Sequence, residues 1–138
     1  MHSKYDKIQE KLDSFKEELP EPDSEWPHEV RTAVKFIHNH LFGQRLTVQW
    51  MKMQCRIKDK NFSATFKFYV GESIQGYWLG YRIKMAKELL KEQDNKGAKI
   101  LLAEYALLLG FRSPSAFSMM FKKYAGCTPS EYQAKEIS

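Results

Sequence analysis

Glycine, proline and capping side chains cut this sequence into short segments, and within each segment the apolar residues recur every three or four positions. That spacing lines one face of a helix, and no run of alternating apolar and polar residues competes with it. A chain so divided folds as short helices joined by tight turns, so the class is all-α. Its 138 residues amount to one domain's worth of chain, and 43% apolar with 14% aromatic residues is enough to build a core without disulfides or metal.

Tyr5, Ile8, Leu12, Phe15 and Leu19 form the a/d seam of a first helix, which Pro20 and Pro22 stop. Residues 1–25 are therefore read as an acidic amphipathic N-terminal helix with a proline-containing linker, ahead of a body spanning residues 26–138. In the body, Val30, Ala33, Val34, Ile37, His38 and Leu41 follow helical spacing up to Gly43, which suits a left-handed cap. Thr47 caps a helix through about residue 54, and Asp59 caps the next, with Phe62, Phe66, Tyr69 and Val70 turned inward before Gly71. Ser73 opens a long helix to about Lys91, whose apolar face runs from Ile74 to Leu90 and ends at the polar break Gln93-Asp94-Asn95-Lys96-Gly97. A helix from Ile100 to about Leu108, a turn at Gly110 and a helix from Pro114 to Tyr124 follow. Thr128-Pro129-Ser130-Glu131 is a capping box that starts the last helix. Residues 46–71 and 100–126 each read as a helix, a turn and a second helix.

Charge narrows the function. The net charge is +5, but residues 1–25 hold four lysines against eight acids, leaving 18 basic and nine acidic side chains in residues 26–138. A basic body with an acidic extension is the electrostatic outline of a nucleic-acid binder, because neutralising phosphates releases condensed counterions. The extension is expected to pack on its own domain, with a weak homodimer through the seam as the alternative. Its charge adds the expectation that it competes with DNA for the basic face. No apolar run approaches the roughly 18 residues of a membrane span and no export signal opens the chain, so the location expected is cytoplasmic, with no membrane partner. Cys55 and Cys127 lack metal-ligand spacing and read as reduced thiols.

Catalytic constellations are absent from the pattern. His38 and His40 fall on different helix faces, short of the i, i+4 spacing of a shared metal, and His38 reads as a core or boundary histidine. There is no glycine-rich phosphate loop, no nucleophile elbow and no paired carboxylate. The chain is read as a non-enzyme with no catalytic residue, cofactor or metal.

The segment Gly110 to Tyr132 is the most informative. Gly110 allows a tight turn, Ser113 caps the next helix and Pro114 takes its first position. Phe117, Met120, Phe121 and Tyr124 form its inward stripe. Ser115, Ser118, Met119 and Lys122 then share the outer face with Lys123 beside them, a small-headed surface suited to a major groove about 12 Å wide.

On these residues the sequence strongly resembles the AraC/XylS family of bacterial transcription regulators. The resemblance covers about residues 28–135. It is carried by Gly110-Phe111, then Ser-x-x-x-Phe-Ser-x-x-Phe-Lys-Lys ending at Lys123, then Gly126 and Thr128-Pro129-Ser130-Glu131-Tyr132. Phe62-Ser63-Ala64-Thr65-Phe66-Lys67 with Gly71 is a fainter copy, and Arg82 to Leu90 resembles the family's connecting helix. The resemblance implies two helix-turn-helix units joined by a long helix, each placing its second helix in the major groove of double-stranded DNA, and control of transcription in contact with RNA polymerase. Lys58, Lys60, Asn61, Ser63, Ala64 and Lys67 would then form the first reading surface, and Arg112, Ser113, Ser115, Ser118, Met119, Lys122 and Lys123 the second.

Three departures accompany it. Ala64 and Met119 stand where the family commonly has arginine; Lys52 and Arg56 stand where it has a small residue and a glycine; and the connection from Leu90 to Leu102 is longer than usual. A helical protein-interaction module on a degenerate DNA-binding fold is the alternative function.

Overall fold

A computed structural model describes residues 4–92 and 101–137. Among them are eight α-helices and no strand: α1 (Lys4–Glu17), α2 (His28–Asn39), α3 (Val48–Gln54), α4 (Phe62–Val70), α5 (Ile74–Glu92), α6 (Leu102–Leu108), α7 (Pro114–Ala125) and α8 (Pro129–Ile137). Their starts follow the local chemistry of the chain. Thr47 Oγ1 accepts the Trp50 N–H at 3.0 Å and Ser113 Oγ the Ala116 N–H at 3.1 Å. Thr128 Oγ1 accepts the Glu131 N–H while Glu131 Oε1 accepts the Thr128 N–H, both at 3.1 Å, so the capping box is closed in both directions. Hydrogen bonding from the Thr128 backbone, and then from its hydroxyl, also holds the Glu131 carboxyl below the usual range.

The 19-residue α5 is the axis of the molecule. Ten of its side chains, among them Ile74, Trp78, Ile83, Met85, Leu89 and Leu90, are buried, and they occupy more than one face. A helix apolar on so much of its circumference has to be covered by others. Accordingly α1, α4, α7 and α8 pack on it, and α2 reaches it where His38 meets Tyr77. Ile8 and Leu12 of α1 are buried, with Phe15 and Leu19 packed half-buried on the core, so the N-terminal seam is used within the chain.

Arg82 is the one charged side chain buried among the described residues, 4% exposed. Its Nε donates to the Leu41 carbonyl at 2.7 Å, Nη2 to Gly43 at 2.9 Å and Nη1 to Gly110 at 3.2 Å, while the guanidinium lies 5.5 Å from the Phe111 ring centroid. Burial lowers its pKa to about 10, which still leaves it charged at neutral pH. Its fork thus ties the α2–α3 connection to the turn after α6. His38 Nε2 lies 2.7 Å from the Tyr77 hydroxyl, and burial holds the imidazole below its ordinary value against the opposing pull of Glu21.

Four local expectations are corrected. Gly43 is not a left-handed cap: α2 ends earlier, at Asn39 with His40 as its cap, because the chain must turn there to offer the Leu41 and Gly43 carbonyls to Arg82. Asp59 is not the N-cap of α4, a position held by Asn61 without a side-chain bond. Instead Asp59 Oδ1 braces the loop by accepting the Asn61 N–H at 2.9 Å. Tyr69 and Tyr124, expected inward, are 40% and 38% exposed, since each sits in the last turn of its helix beyond the packed phenylalanines. The break at Gln93–Gly97 and the start at Ile100 lie outside the described residues.

Gly110 has φ +96°, and a Cβ there would meet Arg82 Nη2 at 2.7 Å and Cζ at 2.8 Å. Gly110→Ala is therefore expected to cost about 2 kcal/mol or more of unfolding free energy, from the left-handed backbone and from displacing the guanidinium. Urea unfolding of the variant measures this, and a loss below about 0.5 kcal/mol would contradict the tight fit.

Candidate nucleic-acid interface

The two helix-turn-helix units are built on one backbone plan. After α3, the Arg56 N–H bonds to the Met53 carbonyl at 3.1 Å and the Ile57 N–H to Lys52 at 2.9 Å. After α6, the Gly110 N–H bonds to Leu107 at 3.1 Å and the Phe111 N–H to Ala106 at 2.9 Å. Both pairs are the 5→2 and 6→1 bonds of a Schellman ending, completed by a buried apolar residue, Ile57 or Phe111. Such an ending needs a left-handed residue. Gly110 provides it freely, whereas Arg56 adopts φ +57° as the one non-glycine residue with positive φ among the described residues. The second helices repeat as well. Phe62 and Phe66 pack with ring centroids 6.2 Å apart, Phe117 and Phe121 at 5.8 Å, and each helix ends five residues later on a left-handed glycine, Gly71 or Gly126.

The units differ at the start of their second helices. Helix α7 has 12 residues and α4 has nine, and the three extra, Pro114, Ser115 and Ala116, all precede Phe117. Helix α4 begins at Phe62 itself, with no side-chain cap. Counted from the paired phenylalanines, Ser63, Ala64 and Lys67 correspond to Ser118, Met119 and Lys122.

All thirteen expected site residues are exposed except Ser113, which is half-buried with its Oγ engaged in the cap. Ser63, Ala64 and Lys67 lie on α4, Asn61 at its N-cap, and Lys58 and Lys60 in the preceding loop. Ser115, Ser118, Met119, Lys122 and Lys123 lie on α7, with Arg112 just before its cap; Met119 is 62% exposed and Lys123 lies 6.0 Å from the Tyr124 ring. Between the units, a cleft of about 300 Å³ runs over α5 from Thr47 and Val48 at the start of α3 to Arg112, Ala116 and Met120 at the start of α7. The entrance to α3 and the entrance to α7 therefore open on the same side of the connecting helix.

Sequence reasoning passed over one cation, Arg56. It noted the residue only as a departure from glycine, yet the turn presents it exposed, two and four positions before Lys58 and Lys60. The alternation of Arg56, Lys58 and Lys60 was the available signal. Lys52, by contrast, is half-buried where its counterpart Ala106 is fully buried. Among the described residues, no three side chains of the His, Cys, Asp and Glu types gather as a metal site. No helix there is long and apolar enough to cross a membrane.

Arg56→Gly is expected to stabilise the protein by about 1 kcal/mol by relieving the left-handed backbone. A urea midpoint unchanged or lowered by the substitution would show that Arg56 holds its turn in some further way.

A helix-turn-helix domain model matches residues 54–135. The chain is 31% identical over 98 residues to the "Probable transcriptional regulator LumQ" of Photobacterium leiognathi and 31% identical over 101 residues to the HTH-type transcriptional regulator YobQ of Bacillus subtilis. These matches cover 71% and 73% of this chain but 37% and 39% of those proteins, so the chain spans well under half the length of these relatives. Among solved structures, the C-terminal domain of AraT, a response regulator from Geobacillus stearothermophilus, superposes with a TM-score of 0.71 at 25% identity, covering 81% of this chain and 88% of that one. The DNA-binding domain of AdpA, solved with a target DNA, shares the fold with a TM-score of 0.66 at 23% identity, covering 79% and 93%. With its paired helix-turn-helix units joined by one long helix, the chain belongs to the AraC/XylS family of transcription regulators.

Proposed function

We propose that this chain is a DNA-binding transcription regulator, or the DNA-binding part of one, which seats α4 and α7 in successive major grooves on one face of the duplex. The observation that carries this reading is the repeated backbone plan at the two ends of α5. At 1.5 Å per residue the 19 residues of α5 are about 28 Å long, against a repeat of about 34 Å between grooves on one DNA face. In this reading Lys58, Lys60, Lys67, Arg112, Lys122 and Lys123 hold phosphates, and Arg56 joins them. Asn61, Ser63, Ser115 and Ser118 face base edges, and Ala64 and Met119 touch thymine methyl groups. Ser113 acts through the helix N-terminus that it caps, where backbone amides attract a phosphate.

The family and the fold are those of transcription regulators, which are not enzymes. The reading calls on no cofactor. It places the protein in a bacterial cytoplasm, with RNA polymerase as the second partner once DNA is bound. A homodimer through the N-terminal helix would have to form without Ile8 and Leu12, which are already buried within the chain, so the DNA-binding unit is taken as the monomer.

Titration of the protein with duplex DNA across a salt series tests the reading. Neutralising about six phosphates gives a log-log slope near −5. A slope near zero would sink the DNA reading and leave the protein-interaction module in its place.

Selection of bound sequences from random duplexes resolves the two units. Met119→Arg is expected to add a guanine preference of about 1 to 3 kcal/mol, because an arginine at an exposed position on the outer face of α7 can take guanine O6 and N7 together. Ala64→Arg is expected to shift the preference less, because α4 lacks the first turn that α7 has. The same selected motif from the parent and both variants would remove these positions from the groove.

A further inference from the structure

Helix α1 is 14 residues long, about 21 Å, and it touches three separate parts of the molecule. At its start the Tyr5 hydroxyl donates to Glu104 Oε2 on α6, with Lys4 Nζ 4.0 Å from the same carboxylate. In its middle Ile8 and Leu12 are buried, and Lys11 Nζ pairs with Glu92, the last residue of α5. At its end the Phe15 ring centroid lies 5.9 Å from that of Phe42 and 6.3 Å from that of Tyr81, and Lys16 Nζ donates to the Asn39 carbonyl at 3.4 Å. Glu104 belongs to the second unit, Glu92 to the connector, and Asn39 and Phe42 to the connection that leads into the first unit. One straight element therefore spans both halves, beside the junction that Arg82 ties from within.

The helix is not itself the acidic part of the N-terminal region. Lys4–Glu17 holds four lysines and four acids, and the excess comes from Glu18, Glu21, Asp23 and Glu25 in the segment that follows. Its contacts with Glu104, Glu92, Asn39, Phe42 and Tyr81 are hydrogen-bonded, ionic and apolar ties to the scaffold, outside the two reading surfaces. These ties give the helix a task within the scaffold.

We propose that α1 is a clasp that fixes the placement of α7 relative to α4, and so sets which spacing of half-sites the protein accepts; this rests on the two-groove reading above. Tyr5, Lys11 and Phe15 are its positioning residues. Two linked binding modules gain from each other only when the linkage holds them at the span of their sites, and a loosened linkage lowers the effective concentration of the second module. A closed clasp accordingly favours one spacing, and an opened clasp weakens binding at that spacing while tolerating others.

The test uses the full chain with Cys55→Ser and Cys127→Ser, spin-labelled through Lys60→Cys and Ser118→Cys, so that one distance reports the two units without DNA. Leu12→Asp is expected to expel α1 and broaden that distance distribution. Tyr5→Phe with Lys11→Met, which keeps the apolar face, is expected to broaden it less and serves if Leu12→Asp does not fold. A distribution as narrow as the parent's in every folded variant overturns the clasp. The parent and the same α1 variants, unlabelled and with Lys60, Ser118, Cys55 and Cys127 restored, are then titrated with the parent's selected duplex and with versions carrying one or two extra base pairs between the half-sites. The parent is expected to lose affinity steeply on insertion. The variants are expected to bind the uninterrupted duplex about five- to tenfold more weakly and to distinguish the spacings less. A broadened distance with an unchanged spacing profile overturns the assignment to half-site spacing. Broadened distances in proteins that bind no duplex at all leave the clasp standing and overturn the DNA reading instead.

Discussion

The fold depends on one buried cation. Removing a guanidinium from water is costly unless its donors are satisfied, and Arg82 meets that condition with three backbone carbonyls rather than a carboxylate. Because those carbonyls come from Leu41, Gly43 and Gly110, the requirement fixes two loops 69 residues apart at their extremes to the same side chain. The planar fork also dictates Gly110, since any side chain there would occupy the space of the guanidinium. The junction between the two halves is thus held by directional bonds at the middle of the connecting helix, and the apolar packing of α7 and α8 on α5 builds out from it.

Around that junction the same backbone plan is used twice with different side chains. The second unit satisfies it without strain, through glycine in the turn, serine at the cap and proline in the first turn. In the first unit an arginine takes the left-handed turn, and the second helix starts three residues later relative to its phenylalanine pair. The shape is retained because it is decided by the buried positions, Ile57, Phe62 and Phe66, which meet the same demands as Phe111, Phe117 and Phe121. The exposed positions carry no such demand: Lys58 and Ala64 in one unit stand where the other has Arg112 and Met119, while Ser63 and Lys67 match Ser118 and Lys122. Two surfaces of unlike chemistry on one scaffold are what a reader of two unlike half-sites requires.

The N-terminal helix is placed by its apolar seam. The spacing of Ile8, Leu12 and Phe15 sets the expectation that it packs on its own domain, and Ile8 and Leu12 are buried accordingly. Burial of Ile8 and Leu12 is worth about 1.5 to 3 kcal/mol for each side chain, more than attraction between screened surface charges supplies. The acids that dominate the charge of residues 1–25 fall after the helix, in the proline-containing segment, where they do not govern its docking.

What the sequence determined by itself is whatever a few neighbouring residues settle. The eight helices, the caps at Thr47, Ser113 and Thr128, and the left-handed turns at Gly71, Gly110 and Gly126 all rest on interactions three to five residues apart, and such spacings are visible in the order of residues. The exposed faces of α4 and α7 were legible for the same reason, since a helix that buries Phe62 and Phe66, or Phe117 and Phe121, must turn Ala64 or Met119 outward. Only the tertiary structure decided that Arg82 is a buried clamp rather than a surface cation, that α2 stops at Asn39 so that Gly43 can face it, that Arg56 adopts a glycine's conformation, and that α1 lies across both halves. These depend on groups 28 to 99 positions apart, or on a buried framework strong enough to override a local preference. Contacts at that range have no period for a sequence pattern to reveal, because burial and hydrogen bonding in the assembled core select them.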